Sequence, residues 1–155
     1  MLYLDYMNII RREGSMAKSR EYQEIVLRLV TTKYFDFVRK NTEEIARNMG
    51  FDEDQVFDLA LVVDEAYVNA IEHGAEGKNE SKLEVKFLIY KDKLEIIIQD
   101  GGCGFDMNKV SADENLVNME STRGRGLGLM KLLTDEFYMQ SFPGQGTTVR
   151  FAKHL

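Results

Sequence analysis

Glu65 and Asn69 stand four residues apart in DEAYVNAIEHG, one helical turn, with apolar residues on either side. A carboxylate in that position can take a proton. An asparagine carbonyl is a neutral oxygen ligand of the kind a hard cation accepts. Asparagine is a mediocre helix former, and a face turned only to solvent would more readily carry Lys, Arg, Gln or another Glu. Asp58, Glu65, Asn69 and Glu72 follow steps of seven, four and three and so share one face. This narrow polar stripe on an otherwise apolar helix looks out either at bulk water or into a cleft.

Two glycine-rich segments bear on the choice. In LEIIIQDGGCGF the period of two puts Leu94, Ile96, Ile98 and Asp100 on one strand face. If that face meets the helices, Asp100 is a carboxylate at the rim of the core and needs donors; the exocyclic amine of adenine is a suitable one. Gly101, Gly102 and Gly104 then let the backbone turn and approach a flat ligand, where a plain turn would need one or two glycines. In GRGLGLMKLL, Gly124, Gly126 and Gly128 open or precede a helix, where free N–H groups and the dipole favour phosphate. Gly128 inside the helical pattern costs about 1 kcal/mol relative to alanine. No strand leads directly into this run, which argues against a dinucleotide-binding turn, and the chain has no G-x-x-x-x-G-K-[ST] loop. Arg123 and Arg125 flank the glycines and are either phosphate contacts or solvated side chains.

The elements that must position these groups are readable in outline. YQEIVLRLV from Tyr22 alternates as a strand; Tyr34, Val38, Ile45 and Met49 then mark a helix that Gly50 stops. A second helix, from Glu53 to about His73, begins with a capping box of Asp52 and Gln55 and a staple of Phe51 and Val56. KLEVKFLIY and KLEIIIQD read as a hairpin turning at Lys91 and Asp92. A polar stretch from Asp106 to Arg123 lacks any period and reads as a lid. The glycine-led helix follows, and the last hairpin turns at Pro143 and Gly144. Hairpin-paired strands interrupted by helices argue an α+β two-layer sandwich.

Composition limits the chemistry. A chain of 155 residues with 44% apolar content is one ordinary domain. One cysteine, Cys103, excludes an intramolecular disulfide framework, and two distant histidines argue against zinc. A net charge of -6 has the wrong sign for broad attraction to nucleic acid. No apolar run is long enough for a transmembrane helix, so the expectation is a soluble, cytoplasmic protein. Residues 1–21 form an extension that is either ordered or disordered; its GSM at Gly14 to Met16 is native or a cloning remnant ahead of a start at Met16.

Taken together, DEAYVNAIEHG, DGGCGF, RGRGLGL and GQGTTV, in that order, resemble the Bergerat-fold (GHKL) ATPases, a superfamily that includes gyrase, histidine kinases and anti-sigma-factor serine kinases. The likeness spans about Tyr22 to Lys153, and the size and short lid resemble the anti-sigma-factor serine kinases most. It implies helices on one face of a mixed, mostly antiparallel sheet, with ATP and Mg²⁺ bound. By motif, Glu65 is implied as general base and Asn69 as the Mg²⁺ ligand. Asp100 would read adenine with help from Thr147, while Gly102 and Gly104 shape the base pocket. Gly124, Arg125, Gly126, Leu127 and Gly128 would pass the triphosphate. The implied function is a serine/threonine kinase acting on an anti-sigma-factor antagonist, with a sigma factor as a second partner and a homodimer as the expected assembly. The alternative is a nucleotide-binding interaction module of the same fold with little catalysis. The ATP-binding half of a histidine kinase fits less well, since the chain leaves no room for the helical hairpin that carries the phosphorylated histidine.

Overall fold

The computed structural model describes residues 7–16, 19–29, 32–74, 82–106 and 122–155. In chain order the elements are β1 (Met7–Met16), β2 (Ser19–Leu29), a short 3-10 turn (Thr32–Tyr34), α1 (Phe35–Met49), α2 (Glu53–Gly74), β3 (Leu83–Tyr90), β4 (Lys93–Asp100), α3 (Thr122–Leu133), β5 (Glu136–Phe142) and β6 (Gly146–His154).

The strands form one six-stranded sheet in the order β1-β2-β3-β4-β6-β5. All five pairings are antiparallel, so the expected mixture of directions resolves, among the described residues, into a wholly antiparallel sheet. The extension supplies β1, which pairs along β2 from Met7↔Leu29 to Met16↔Ser19 with a register irregularity between Gly14 and Met16. Helices enter the chain between β2 and β3 and between β4 and β5.

Local sequence accounts for the element boundaries. Gly50 adopts φ 100°, its N–H reaches the Arg47 carbonyl, and the Phe51 N–H reaches Ala46, a Schellman stop for α1. Three residues on, Gln55 N–H donates to Asp52 Oδ1 at 2.8 Å and the Gln55 side chain accepts the Asp52 N–H at 3.2 Å. The capping box thus satisfies two helix-end donors. Phe51 and Val56 are both buried beside it, as a staple requires. α1 and α2 therefore meet through a tight corner that fixes their relative direction.

One core lies between the helices and the inward side of the sheet. Leu94, Ile96 and Ile98 of β4 pack with Val85 and Phe87 of β3, Val149 and Phe151 of β6, Val38 of α1, Leu59, Val62 and Val63 of α2, and Met130 of α3. Each such side chain contributes roughly 1.5–3 kcal/mol of burial. On the opposite side of the sheet Glu95 is also buried, held by Arg150 at 2.8 Å and Lys93 at 3.5 Å. Removing Arg150 would leave this desolvated carboxylate only the more distant Lys93.

Candidate active site

The face of α2 that carries the polar stripe divides in function. Asp58 is taken up by Lys153, whose ammonium lies 2.9 Å from it and also donates to the Leu133 carbonyl at 2.8 Å. This ties α2 to β6 and to the end of α3. Two and three turns further, Glu65 and Asn69 are half-buried and joined by a long hydrogen bond, Asn69 Nδ2 to Glu65 Oε1 at 3.4 Å. Glu72 is exposed. Using its N–H on Glu65 leaves Asn69 its carbonyl oxygen as the atom to offer a ligand.

Beside this pair a cleft opens between α2, α3 and the ends of β4 and β6. Ala66, Ala70, Ile98, Leu127 and Val149 supply apolar walls, and Asn69, Asp100 and Thr147 are the polar groups on its lining. Alternation along β4 delivers Asp100 to the same side as Ile98, and it is 5% exposed. Its Oδ1 accepts the Gly102 N–H at 2.9 Å and the Thr147 N–H at 3.2 Å. Two backbone donors fix the carboxylate in place as an acceptor at the cleft wall.

Two glycines are required by the backbone here. Gly104 (φ 59°) lies so close to the β5–β6 turn that a side chain would meet the Phe142 carbonyl. Gly146 (φ 83°) faces the Asp100 carbonyl in the same way. The loop after β4 is thereby pressed onto the last hairpin, and Gly144 N–H donates to the Cys103 carbonyl at 2.5 Å. Gly102 is buried and serves as a donor to Asp100. Cys103 is exposed.

The glycine run at the start of α3 splits in an unexpected way. A methyl group at Gly126 would overlap the Glu65 carboxylate, whereas one at Gly128 would meet nothing within 4 Å. The space left by Gly126 is thus filled by the side chain expected to act as base, and the space beside Gly128 is open. Leu127 lines the cleft. Gly124 lies in the first turn of α3. Of the segment expected as a lid from Asp106 to Arg123, residues 107–121, Asp113 and Glu114 among them, fall outside the described residues, as do the side chains of His73, Arg123 and Arg125.

A half-buried carboxylate and a buried hydroxyl brace α2 from behind. Asp64 pairs with Arg39 of α1, which also reaches Glu43 at 3.2 Å. Burial pushes the Asp64 carboxyl up, with Arg39 opposing. The Tyr67 hydroxyl is buried, and burial pushes it up to about 12, with the Tyr34 backbone opposing.

Ser141, Phe105 and Met139 escaped the sequence reading. Ser141 is 3% exposed and sits behind Thr147, with their hydroxyls 2.8 Å apart. Phe105 and Met139 complete the cleft lining. A signal for Ser141 was present: Phe137, Met139 and Ser141 alternate along β5, and a hydroxyl at an inward position must find partners.

The described residues contain no group of three or more His, Cys, Asp or Glu able to hold a metal. A hard cation at Asn69 would complete its shell with oxygens from a bound ligand, as magnesium does with phosphates. Apolar walls beside a fixed acceptor suit a flat base that carries an amine, such as adenine. The residues therefore fit Mg-ATP.

Comparison with known proteins agrees. A family model for the histidine kinase-like ATPase domain matches residues 31–153. The chain belongs to this family. Serine-protein kinase RsbW of Bacillus velezensis is 33% identical over 146 residues, covering 90% of this chain and 89% of the relative. The RsbW of Bacillus pumilus is 34% identical over 131 residues, covering 79% and 80%. That of Listeria monocytogenes is 29% identical over 139 residues, covering 86% and 88%. Within the histidine kinase-like ATPases this chain therefore groups with protein serine kinases.

Proposed function

We propose that this chain is an ATP-dependent serine/threonine kinase that phosphorylates an anti-sigma-factor antagonist and itself serves as an anti-sigma factor. The observation that carries this reading is that Asn69, hydrogen-bonded to Glu65, lines the same cleft as Asp100 and Thr147. One side suits a purine base, and the other offers a proton acceptor and an oxygen ligand.

Bound magnesium would neutralise phosphate charge and orient the transferable phosphoryl group. Asn69 would hold that ion through its carbonyl oxygen. Asp100, aligned by two backbone N–H groups, would accept from the adenine amine, with Thr147 beside it. Glu65 would take the proton of an incoming serine or threonine hydroxyl as the oxygen attacks. The glycine run at the head of α3, Gly124 to Gly128 with Arg125 and Leu127, would border the triphosphate. A homodimer, a sigma factor as second partner and a cytoplasmic location belong to the same reading. No described helix is long and apolar enough to cross a membrane.

The test is phosphoproteomics on ATP-depleted source-cell lysate given Mg-ATP and either the wild-type chain or Glu65→Ala. A single new phosphoserine or phosphothreonine on a small protein, absent with the variant, is expected. Equal labelling by both proteins would remove Glu65 from the mechanism. No labelling, with Mg-ATP still bound by the purified chain, would favour the nucleotide-dependent interaction module.

A further inference from the structure

Thr147 does not face the cleft alone. Its hydroxyl lies 2.8 Å from that of Ser141, which is 3% exposed and lies within 3.3 Å of the Gly146 carbonyl. Ser141 also receives the Phe105 N–H at 2.8 Å, across 36 residues of sequence. Phe105 and Thr147 both line the cleft. Ser141 thus touches two of its walls from behind.

Proton accounting decides what Thr147 can present. The Phe105 N–H can only donate, so it occupies a lone pair of Ser141 Oγ, and the Gly146 carbonyl can only accept. If Ser141 gives its proton to Gly146, then Thr147 gives its own to Ser141. Every hydroxyl proton is then used within the protein, and Thr147 keeps lone pairs for a ligand. In the reverse sense Ser141 donates to Thr147, whose proton needs a ligand acceptor, and the Ser141 bond to Gly146 is lost. Leaving a buried donor unmade is costly, so the first arrangement is preferred. It shows the cleft an acceptor at Thr147 alongside the acceptor carboxylate of Asp100.

We propose that Ser141 is a positioning residue that sets Thr147 as a hydrogen-bond acceptor and so makes the cleft select a 6-amino purine over a 6-oxo purine. This rests on the reading of the cleft as a nucleotide site. A ligand with a carbonyl at that position meets two acceptors and can be accommodated only by reversing the Ser141–Thr147 pair.

The experiment uses the full chain as wild type, Ser141→Ala and Ser141→Thr, with Mg-ATP and Mg-GTP binding measured by calorimetry. The wild type is expected to prefer ATP. Ser141→Ala should weaken ATP binding about five- to tenfold, the scale of one hydrogen bond, and leave GTP binding unchanged or improved. Ser141→Thr should restore the preference. A parallel loss for both nucleotides, or none for ATP, would overturn the proposal. Amide NMR of the ligand-free chain supplies an independent reading. The Phe105 amide proton should move upfield in Ser141→Ala and return in Ser141→Thr, and an unmoved signal would show that the network does not exist. If the wild type bound neither nucleotide while this signal behaved as expected, the nucleotide reading would fall and take the selectivity with it, but the network would stand.

Discussion

Replacing Asp100 with asparagine changes one oxygen to an amide and probes the cleft with little change of shape. Asp100 Oδ1 receives the Gly102 and Thr147 N–H groups, and an asparagine carbonyl can keep both bonds. Losing the charge on those two bonds should cost about 1 kcal/mol of stability. The amide NH₂ then replaces the second carboxylate oxygen and points donors where a ligand amine also donates. A charge-assisted bond of about 1.5–3 kcal/mol disappears and a buried donor goes unpaired, giving about 2–4 kcal/mol in all. Affinity for ATP should therefore fall roughly 30- to 1,000-fold. Calorimetry of Asp100→Asn with Mg-ATP measures the loss, and thermal melting confirms that the fold is retained. Purine riboside triphosphate, which lacks the amine, is the control: its weaker binding should change less than about fivefold, because the deleted bond was never made. If both ligands lose affinity equally, Asp100 does not read the base.

Further substitutions test other parts of the structure. Gly126→Ala should lower the rate of phosphoryl transfer at least tenfold by displacing Glu65, a larger loss than any in ATP affinity. Gly128→Ala, with open space beside it, should instead weaken ATP binding, and single-turnover kinetics with a binding titration separates the two. Tyr67→Phe should cost about 1 kcal/mol of stability at pH 7, the scale of the single hydrogen bond its hydroxyl makes with the Tyr34 backbone. The pH dependence has a definite sign. Burial raises the folded-state value from 10.0 to about 12, so the folded chain keeps a proton that the unfolded chain releases in between. Wild-type stability should fall across that window by about 2 kcal/mol more than that of Tyr67→Phe, as denaturant titrations at successive pH values would show. Asp52→Ala should cost about 1 kcal/mol in urea melts through loss of the α2 cap.

The elements legible in the sequence were those with local causes. Gly50 and the Asp52–Gln55 box marked the corner between α1 and α2, and the alternation of Leu94, Ile96, Ile98 and Asp100 placed a carboxylate at the core rim. The Glu65–Asn69 pair followed from helical spacing. What escaped detection depends on a partner rather than on the residues' own pattern. β1 carries a run of charged residues without clean alternation, and its pairing with β2 comes from the strand beside it. Gly126 reads as a phosphate glycine, yet the reason it cannot carry a side chain is a carboxylate on another helix. Ser141 looks like an ordinary strand residue until Phe105 and Thr147 are brought to it.

The pairing of β4 with β6 also governs how the molecule assembles. β3 and β4 are joined by a two-residue turn, but Ile98 and Val149 face each other across 51 residues of chain. Joining β4 to β6 therefore carries the larger loop-closure entropy and should come late in folding. Until it happens, β4 presents Leu94, Ile96 and Ile98 along an unpaired edge, the kind of surface on which aggregation begins. Asp100 and Thr147 lie at one end of this seam, so a nucleotide bound between them would clamp both strands. Amides along β4 and β6 should then gain protection from hydrogen exchange with ligand, by about 2.7 kcal/mol at a hundredfold excess over Kd, in every opening that parts the two strands. The chain's ligand would thus act as a chemical chaperone for the seam at which the chain is most exposed.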